Sequence, residues 1–266
     1  MTTRSQPPTA AQRQGPSPLT QCLTALAGTP DDSSWVADQL ITIAQLAADL
    51  VAPVSYASIT AHRDDGYTTV AASSDVALAV DEAQYSDRAG PCLSALDGGA
   101  PIAVPDIGAT MRWPGFRDSA FALGLRASLS IPLFAGRGTA IAGLNLYGRD
   151  PKAMAPLIAA VWDAFDPQEP KAEPEGPKAD LEEPRDAVDE SKAAVEGQPL
   201  DGGSAGLVAG IAGAFVVRDL IQQAVGVIIA DTGRTSDAAY LVLRMRAAER
   251  GFTLPDTAAA VIAEQL

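Results

Sequence analysis

Side chains able to do covalent chemistry are few in this sequence. It holds one histidine, His62, and two cysteines, Cys22 and Cys92. A lone histidine leaves no partner for an imidazole metal site or a base–nucleophile pair. The cysteines stand far apart, without CxxC spacing or a histidine beside them, so neither a zinc site nor a disulfide framework is expected. Free cysteines of this kind behave as small hydrophobes in a reducing compartment. Catalytic residues and metal ligands are therefore expected to be none, and the chain reads as non-enzymatic. Gly136-Arg137-Gly138 has the look of a phosphate-cradling loop, yet it joins two β-rich runs and opens no helix. It is read as a hairpin turn.

The remaining chemistry is electrostatic. With 33 acids against 19 bases the formal charge is -14, which repels phosphate backbones and anionic membranes at long range. Any RNA contact must come from a local cluster. The candidates are Arg246 and Arg250, one helical turn apart, with Arg244 nearby. The bland alternative is that all three are solvent-facing helix residues, with Glu249 as a neighbour. From Phe215 to Leu266 there are five Arg, no Lys and six acids, a local charge of -1. Since phosphate neutralisation dominates nucleic-acid affinity, such a segment should bind RNA more weakly than a basic one. Tyr240 is read as core before base-stacking platform.

The elements that would position these residues follow from pattern. Residues 1–30 read as a mobile tail. Met1 to Pro18 lacks the apolar core of a signal peptide. The Asp31-Asp32-Ser33-Ser34 cluster supplies helix caps, and Val36, Leu40, Ile43, Ala47, Leu50 and Val51 mark one helical face, ended by Pro53. Val54 to Ala61 and Tyr67 to Ser73 read as strands joined by Asp64-Asp65-Gly66. Residues 75–100 are mixed, with a short helix around Cys92 to Leu96. A short strand, Pro101 to Val104, a helix over 114–123, two strands, Ala127 to Phe134 and Ala140 to Tyr147, and a helix over 152–165 complete an α+β domain over 31–165.

The composition then changes. Asp166 to Pro199 holds six prolines, eleven acids and four bases, too polar to offset the entropy of ordering. Residues 166–204 are expected to be a disordered acidic insert, read as solvated before being read as an RNA competitor. Beyond it, Leu207, Ile211, Ala214, Val217, Ile221, Ala224 and Ile228 form a long near-heptad seam. That seam suits a packed intradomain helix or a dimerising, signal-transmitting one. Its longest apolar run, Leu207 to Val217, is short of the roughly 20 residues needed to span a bilayer, so a cytoplasmic protein without membrane contact is expected. Two further helices, capped by Thr235-Ser236 and by Thr253 with Pro255 in its first turn, complete a C-terminal bundle over 205–266.

Six blocks over residues 33–150 resemble the GAF domains of actinobacterial regulators. They are Gly90-Pro91-Cys92-Leu93, Pro101 to Asp106, Arg112-Trp113-Pro114 with Phe116, Gly124 to Ser128, Ile131-Pro132-Leu133, and Ala142 to Tyr147. Residues 216–266 resemble the ANTAR domain, through Arg218 to Ile221, Gln223 to Ile228, Ala239-Tyr240, Leu243-Arg244, Ala247, Leu254, Asp256 and Ala258. Val225, Phe252, Thr253 and Pro255 depart from that family at positions where basic residues are common. The paired resemblance implies a GAF-like antiparallel sheet flanked by helices, joined by a long helix to an all-α three-helix domain. It also implies a sensor that controls capture of stem-loop RNA and transcriptional read-through, with a homodimer as the assembly. Pro91, Cys92, Trp113 and Phe116 would wall the sensor pocket. The signal would be a small molecule or an oxidant, the latter through Cys92 if Arg88 stabilised its thiolate, although an inert buried Cys92 is the plainer reading. No motif names a cofactor, which stays unknown. The competing expectation is a dimerising sensor or interaction module whose C-terminal domain has lost RNA binding.

Overall fold

The computed structural model describes residues 15–63, 66–165 and 199–264. Outside the described residues lie 1–14 of the expected tail, Asp64-Asp65 of the expected turn, and 166–198 of the expected insert.

Alternation along three strands decides the architecture, because successive strand side chains point to opposite faces. In β1 (Tyr56–Arg63), Ala57, Ile59 and Ala61 alternate with Ser58 and Thr60. In β4 (Ala127–Ala135), Leu129, Ile131 and Leu133 alternate with Ser128 and Ser130. In β5 (Thr139–Gly148), Ala142, Leu144 and Leu146 alternate with Asn145 and Tyr147. With β2 (Gly66–Ala72) and β3 (Ile102–Val104) these build a five-stranded antiparallel sheet in the order β2-β1-β5-β4-β3. One face is apolar and the other polar, yet both are buried.

The apolar face is covered by α1 (Pro18–Ala27), α2 (Trp35–Leu50), α6 (Pro151–Phe165) and the first half of α7 (Gly202–Thr232). The expectation of a mobile tail through residue 30 is thereby corrected. Ser17 accepts a hydrogen bond from the Thr20 amide, Pro18 occupies the first turn, and Leu19, Leu23 and Leu26 are buried at helical spacing. That signal is brief and follows a polar stretch, so composition hides it. Of the Asp31–Ser34 caps only Ser33 serves, its hydroxyl accepting from the Trp35 amide at 3.3 Å. Ser34 precedes α2 without a side-chain cap, and Asp31 and Asp32 bind arginines instead.

The polar face is covered by α3 (Asp75–Asp87), α4 (Pro91–Gly98) and α5 (Pro114–Ala122). Helix α3 carries no clear hydrophobic period because its buried side presents Asp81 and Gln84 beside Ala77 and Val80. A helix that packs on a polar sheet face need not be amphipathic, which is why residues 75–87 read as mixed.

The C-terminal bundle consists of the second half of α7 with α8 (Ser236–Arg250) and α9 (Leu254–Ala263). Gly233 and Gly251 end α7 and α8 in left-handed conformations, at φ 64° and 66°. Thr253 accepts from the Asp256 amide and donates to its carboxylate. Ile221, Ala224, Val225 and Ile228 of α7 pack on Tyr240, Leu243 and Leu254, among others. Helix α7 runs unbroken for 31 residues, as the expectation of a continuous connector required. It packs on the sheet side chiefly through α1, with α2, α6 and β4 also in contact. Its length and mean hydropathy would suffice to cross a membrane. Here, however, its seam is consumed by two cores, Leu207 and Ile211 in the first and Ile221 to Ile228 in the second.

Glycines set the approach of α7 to α1. A Cβ on Gly210 would lie 2.7 Å from Leu23 Cδ1, and the Thr20 hydroxyl donates to the Gly206 carbonyl at 2.7 Å. Such proximity needs a residue without a side chain. If α1 is part of the core, Leu23→Ala should destabilise the protein by about 2–5 kcal/mol in urea unfolding. A dispensable tail would leave the midpoint unchanged.

Candidate sensor core and nucleic-acid interface

Between the polar sheet face and α3–α4 lies a buried hydrogen-bond network centred on Asp81, which is 0% exposed. Thr69 and Tyr147 hydroxyls donate to its two carboxylate oxygens at 2.8 and 2.6 Å. Asn145 Nδ2 reaches Thr60 at 2.9 Å and Ser58 at 3.3 Å. The Tyr85 hydroxyl meets Thr60 and Thr69, and Gln84 accepts from the Cys92 amide at 3.0 Å, tying α3 to the start of α4. Gln84 fills the space a side chain at Gly90 would need. Two buried atoms, Asn145 Oδ1 and Ser128 Oγ, have no partner.

Burial pushes the Asp81 carboxyl up to about 6, against the pull of hydroxyls from Tyr147, Ser58 and Thr69. Burial, and then the Asp81 charge, raises the Cys92 thiol and the Tyr147 phenol well above their ordinary ranges.

The second constellation joins the C-terminal bundle to the sheet domain. Arg244 forks onto Asp32, Nη1 to Oδ2 at 2.9 Å and Nη2 to Oδ1 at 2.8 Å. That pairing holds the Asp32 carboxyl below the usual carboxylate range. Arg137, at the β4–β5 turn, meets Asp31 and Asp237 at 3.1 Å each and lies 5.4 Å from the Tyr240 ring centre. Gly136 and Gly138 adopt φ of 49° and 83°, so the Gly136-Arg137-Gly138 segment is a turn between strands. Gly136 sits against the Tyr240 hydroxyl, and Gln222 of α7 donates to the Arg137 carbonyl. Arg218 stacks over Phe134 at 4.3 Å, and Gly28 approaches Pro255.

Comparison with known proteins divides the chain along the same lines. Residues 37–161 match the family model of the GAF domain, and residues 211–262 that of the ANTAR domain. The chain carries a GAF domain and an ANTAR domain. No curated protein is similar enough to the chain to be matched. GAF and ANTAR are sensor and regulatory domains and not catalytic families.

Within the GAF domain the four expected pocket walls separate. Trp113 and Phe116 are packed in an apolar cluster with Val80, Ile107, Leu125 and Tyr147. Pro91 and Cys92 are buried at the start of α4, on the hydrogen-bonded side of the sheet. None of the four lines the open cleft of about 250 Å³ bounded by Gly108, Arg117, Asp118, Phe121 and Ala122. The oxidant route through Cys92 is corrected. Its thiol is buried and pushed away from the thiolate, while Arg88 is exposed at the end of α3. Asp81, Asn145 and Tyr85 were not singled out from sequence. The available signal was the run of polar side chains at alternate strand positions.

Within the ANTAR domain, the three candidate arginines occupy two sides of α8. Arg244 and Arg246 are roughly 200° apart around the helix, and Arg244 shares its side with Tyr240, facing the GAF domain. Arg250 lies 3.6 Å from Glu264 at an exposed site. Tyr240 is 2% exposed and belongs to the core, as expected. Val225, where the resemblance expects a base, is buried in that core.

The Asp81 environment predicts a pH-dependent mutant effect. The folded state holds this proton more tightly than the unfolded chain. Its contribution is complete below about pH 4 and is lost as pH rises through about 6, leaving a cost of about 3 kcal/mol at neutral pH. Asp81→Asn should therefore stabilise the protein by about 1–3 kcal/mol at pH 7.5 and lose most of that advantage at pH 4.5, read from urea melts. A neutral-pH destabilisation would show that the carboxylate is needed in its charged form.

Proposed function

We propose that this GAF–ANTAR protein is a signal-responsive, RNA-binding transcription antitermination regulator of the cytoplasm, with the GAF domain as sensor and the ANTAR domain as output. The supporting observation is α7, a single helix that is core to both domains. A displacement in the sensor has no flexible joint in which to dissipate before it reaches the three-helix output. A small molecule acting on the α3–α4 side of the sheet is the signal that suits the buried polar network. Pro91 and Cys92 adjoin that network, and Trp113 and Phe116 form its apolar flank. Stem-loop RNA is the ligand that suits Arg246 and Arg250 on one side of α8 and Arg244 on the other. A homodimer belongs to the same reading. Much of the α7 seam is buried within the chain, and Trp35, Trp162 and Val216 leave large apolar side chains exposed that suit such an interface.

One observation favours the rival reading of a sensor whose ANTAR domain no longer binds RNA. The segment from Phe215 carries five Arg, no Lys and a net charge of -1. The two readings separate in a salt titration of the full chain against a synthetic RNA carrying two stem-loops. An RNA-binding output gives affinity that falls steeply between 50 and 200 mM salt. The Arg246→Ala/Arg250→Ala variant should flatten the log–log slope by about 2. Absence of binding at low salt by the wild-type chain would leave the rival reading.

A further inference from the structure

The Arg244–Asp32 contact is a fork-on-fork pair, two parallel hydrogen bonds from one guanidinium to one carboxylate. The same geometry receives a phosphate group. The carboxylate comes from the turn between α1 and α2 of the GAF domain, 212 positions away in the chain. Beside it, Asp31 is held by Arg137, which also reaches Asp237 on α8. The GAF domain thus lays two carboxylates against the side of α8 that presents Arg244 and Tyr240.

The contact is built to open. Arg244 and Asp32 side chains retain 27% and 64% of their exposure, so water and salt weaken their attraction. Among the described residues, two polar atoms in the same interface, the Tyr240 hydroxyl and Arg218 Nε, are buried without a hydrogen-bond partner. Desolvated, unsatisfied groups oppose docking. Separation returns both to solvent. The two GAF segments that make the contact are also well placed to move with the sensor. The Asp31–Asp32 turn leads into α2, which packs on β1 and β2, and Arg137 sits at the tip of β4–β5, which carries Asn145 and Ser128.

We infer that the Asp31–Asp32 turn is an intramolecular stand-in for an RNA phosphate, which occupies Arg244 beside Tyr240 in a closed state and competes with RNA for that site. This rests on the RNA-binding reading above and names how its Arg244 side is regulated. In the closed state only the open fraction binds, so apparent affinity is reduced by that fraction. A sensor signal that separates turn and helix raises RNA affinity without creating a new contact.

The test uses the full chain. Asp31→Asn/Asp32→Asn removes the stand-in charge. Asp38→Asn/Asp49→Asn, at exposed positions on α2, removes the same charge elsewhere. Amide hydrogen exchange in α8 is measured without RNA, and affinity for the two-stem-loop RNA is measured at one salt concentration. The inference expects faster α8 exchange and about ten-fold or greater tightening in the first variant only. Adding Arg244→Ala to that variant should abolish the gain. Faster exchange with measurable but unchanged RNA affinity overturns the competition while keeping an RNA-binding output. Unchanged exchange overturns the closed state itself, as does equal tightening in the α2 control. Faster exchange with no RNA bound by any form overturns the RNA-binding reading, and the competition with it.

Discussion

Helix α7 enters two hydrophobic cores, and the molecule is organised around that double duty. Leu207 and Ile211 close the layer over the apolar sheet face, while Ile221, Ala224 and Ile228 complete the ANTAR bundle. The first engagement depends on glycine. With Gly206 and Gly210 lacking side chains, α1 lies close enough for Thr20 to reach a backbone carbonyl of α7. Larger residues there would push the helices apart, and the second half of α7 would be re-aimed with them. The orientation of α8 against the GAF domain, and with it the meeting of Arg244 and Asp32, descends from this packing.

A second constraint shapes the sensor. A sheet buried on both sides normally carries apolar side chains on both. Here one face carries serine, threonine, asparagine and tyrosine, which obliges α3 and α4 to supply polar partners. The arrangement is costly because Asp81 is buried and its hydrogen-bond donors are neutral hydroxyls and an amide. A network of this type is rigid where it is satisfied, and among the described residues Asn145 Oδ1 and Ser128 Oγ are buried without a hydrogen-bond partner.

Much of this was legible in the sequence, for identifiable reasons. Strand alternation in β1, β4 and β5 and the capped helices α8 and α9 are local signals, and the fold class follows from them. Helix α1 was lost because three leucines after a polar stretch look like tail. Helix α3 was lost because its buried side is partly charged. At the candidate site, Arg244 could be nominated by spacing, but its partner could not. Asp32 stands in a run that local rules assign to helix capping, and only the tertiary fold turns it toward α8. Cys92 could be placed in a helix and read as inert, and the fold supplies the cause, its burial and then the nearby Asp81.

The pairing of Arg244 also bears on how fast partners meet. Oppositely charged molecules find one another quickly because their fields guide the approach, and that advantage vanishes when a protein neutralises its own cations. In the closed form Arg244 and Arg137 face carboxylates of the same chain, and the whole molecule carries -14. On the proposal above, a polyanion meets these arginines unpaired only after the bundle has separated from the aspartate turn. In that proposal the aspartate turn sets a delay as well as an equilibrium, because encounter waits for opening. On the antitermination reading proposed above, the lifetime of one exposed ion pair becomes a clock.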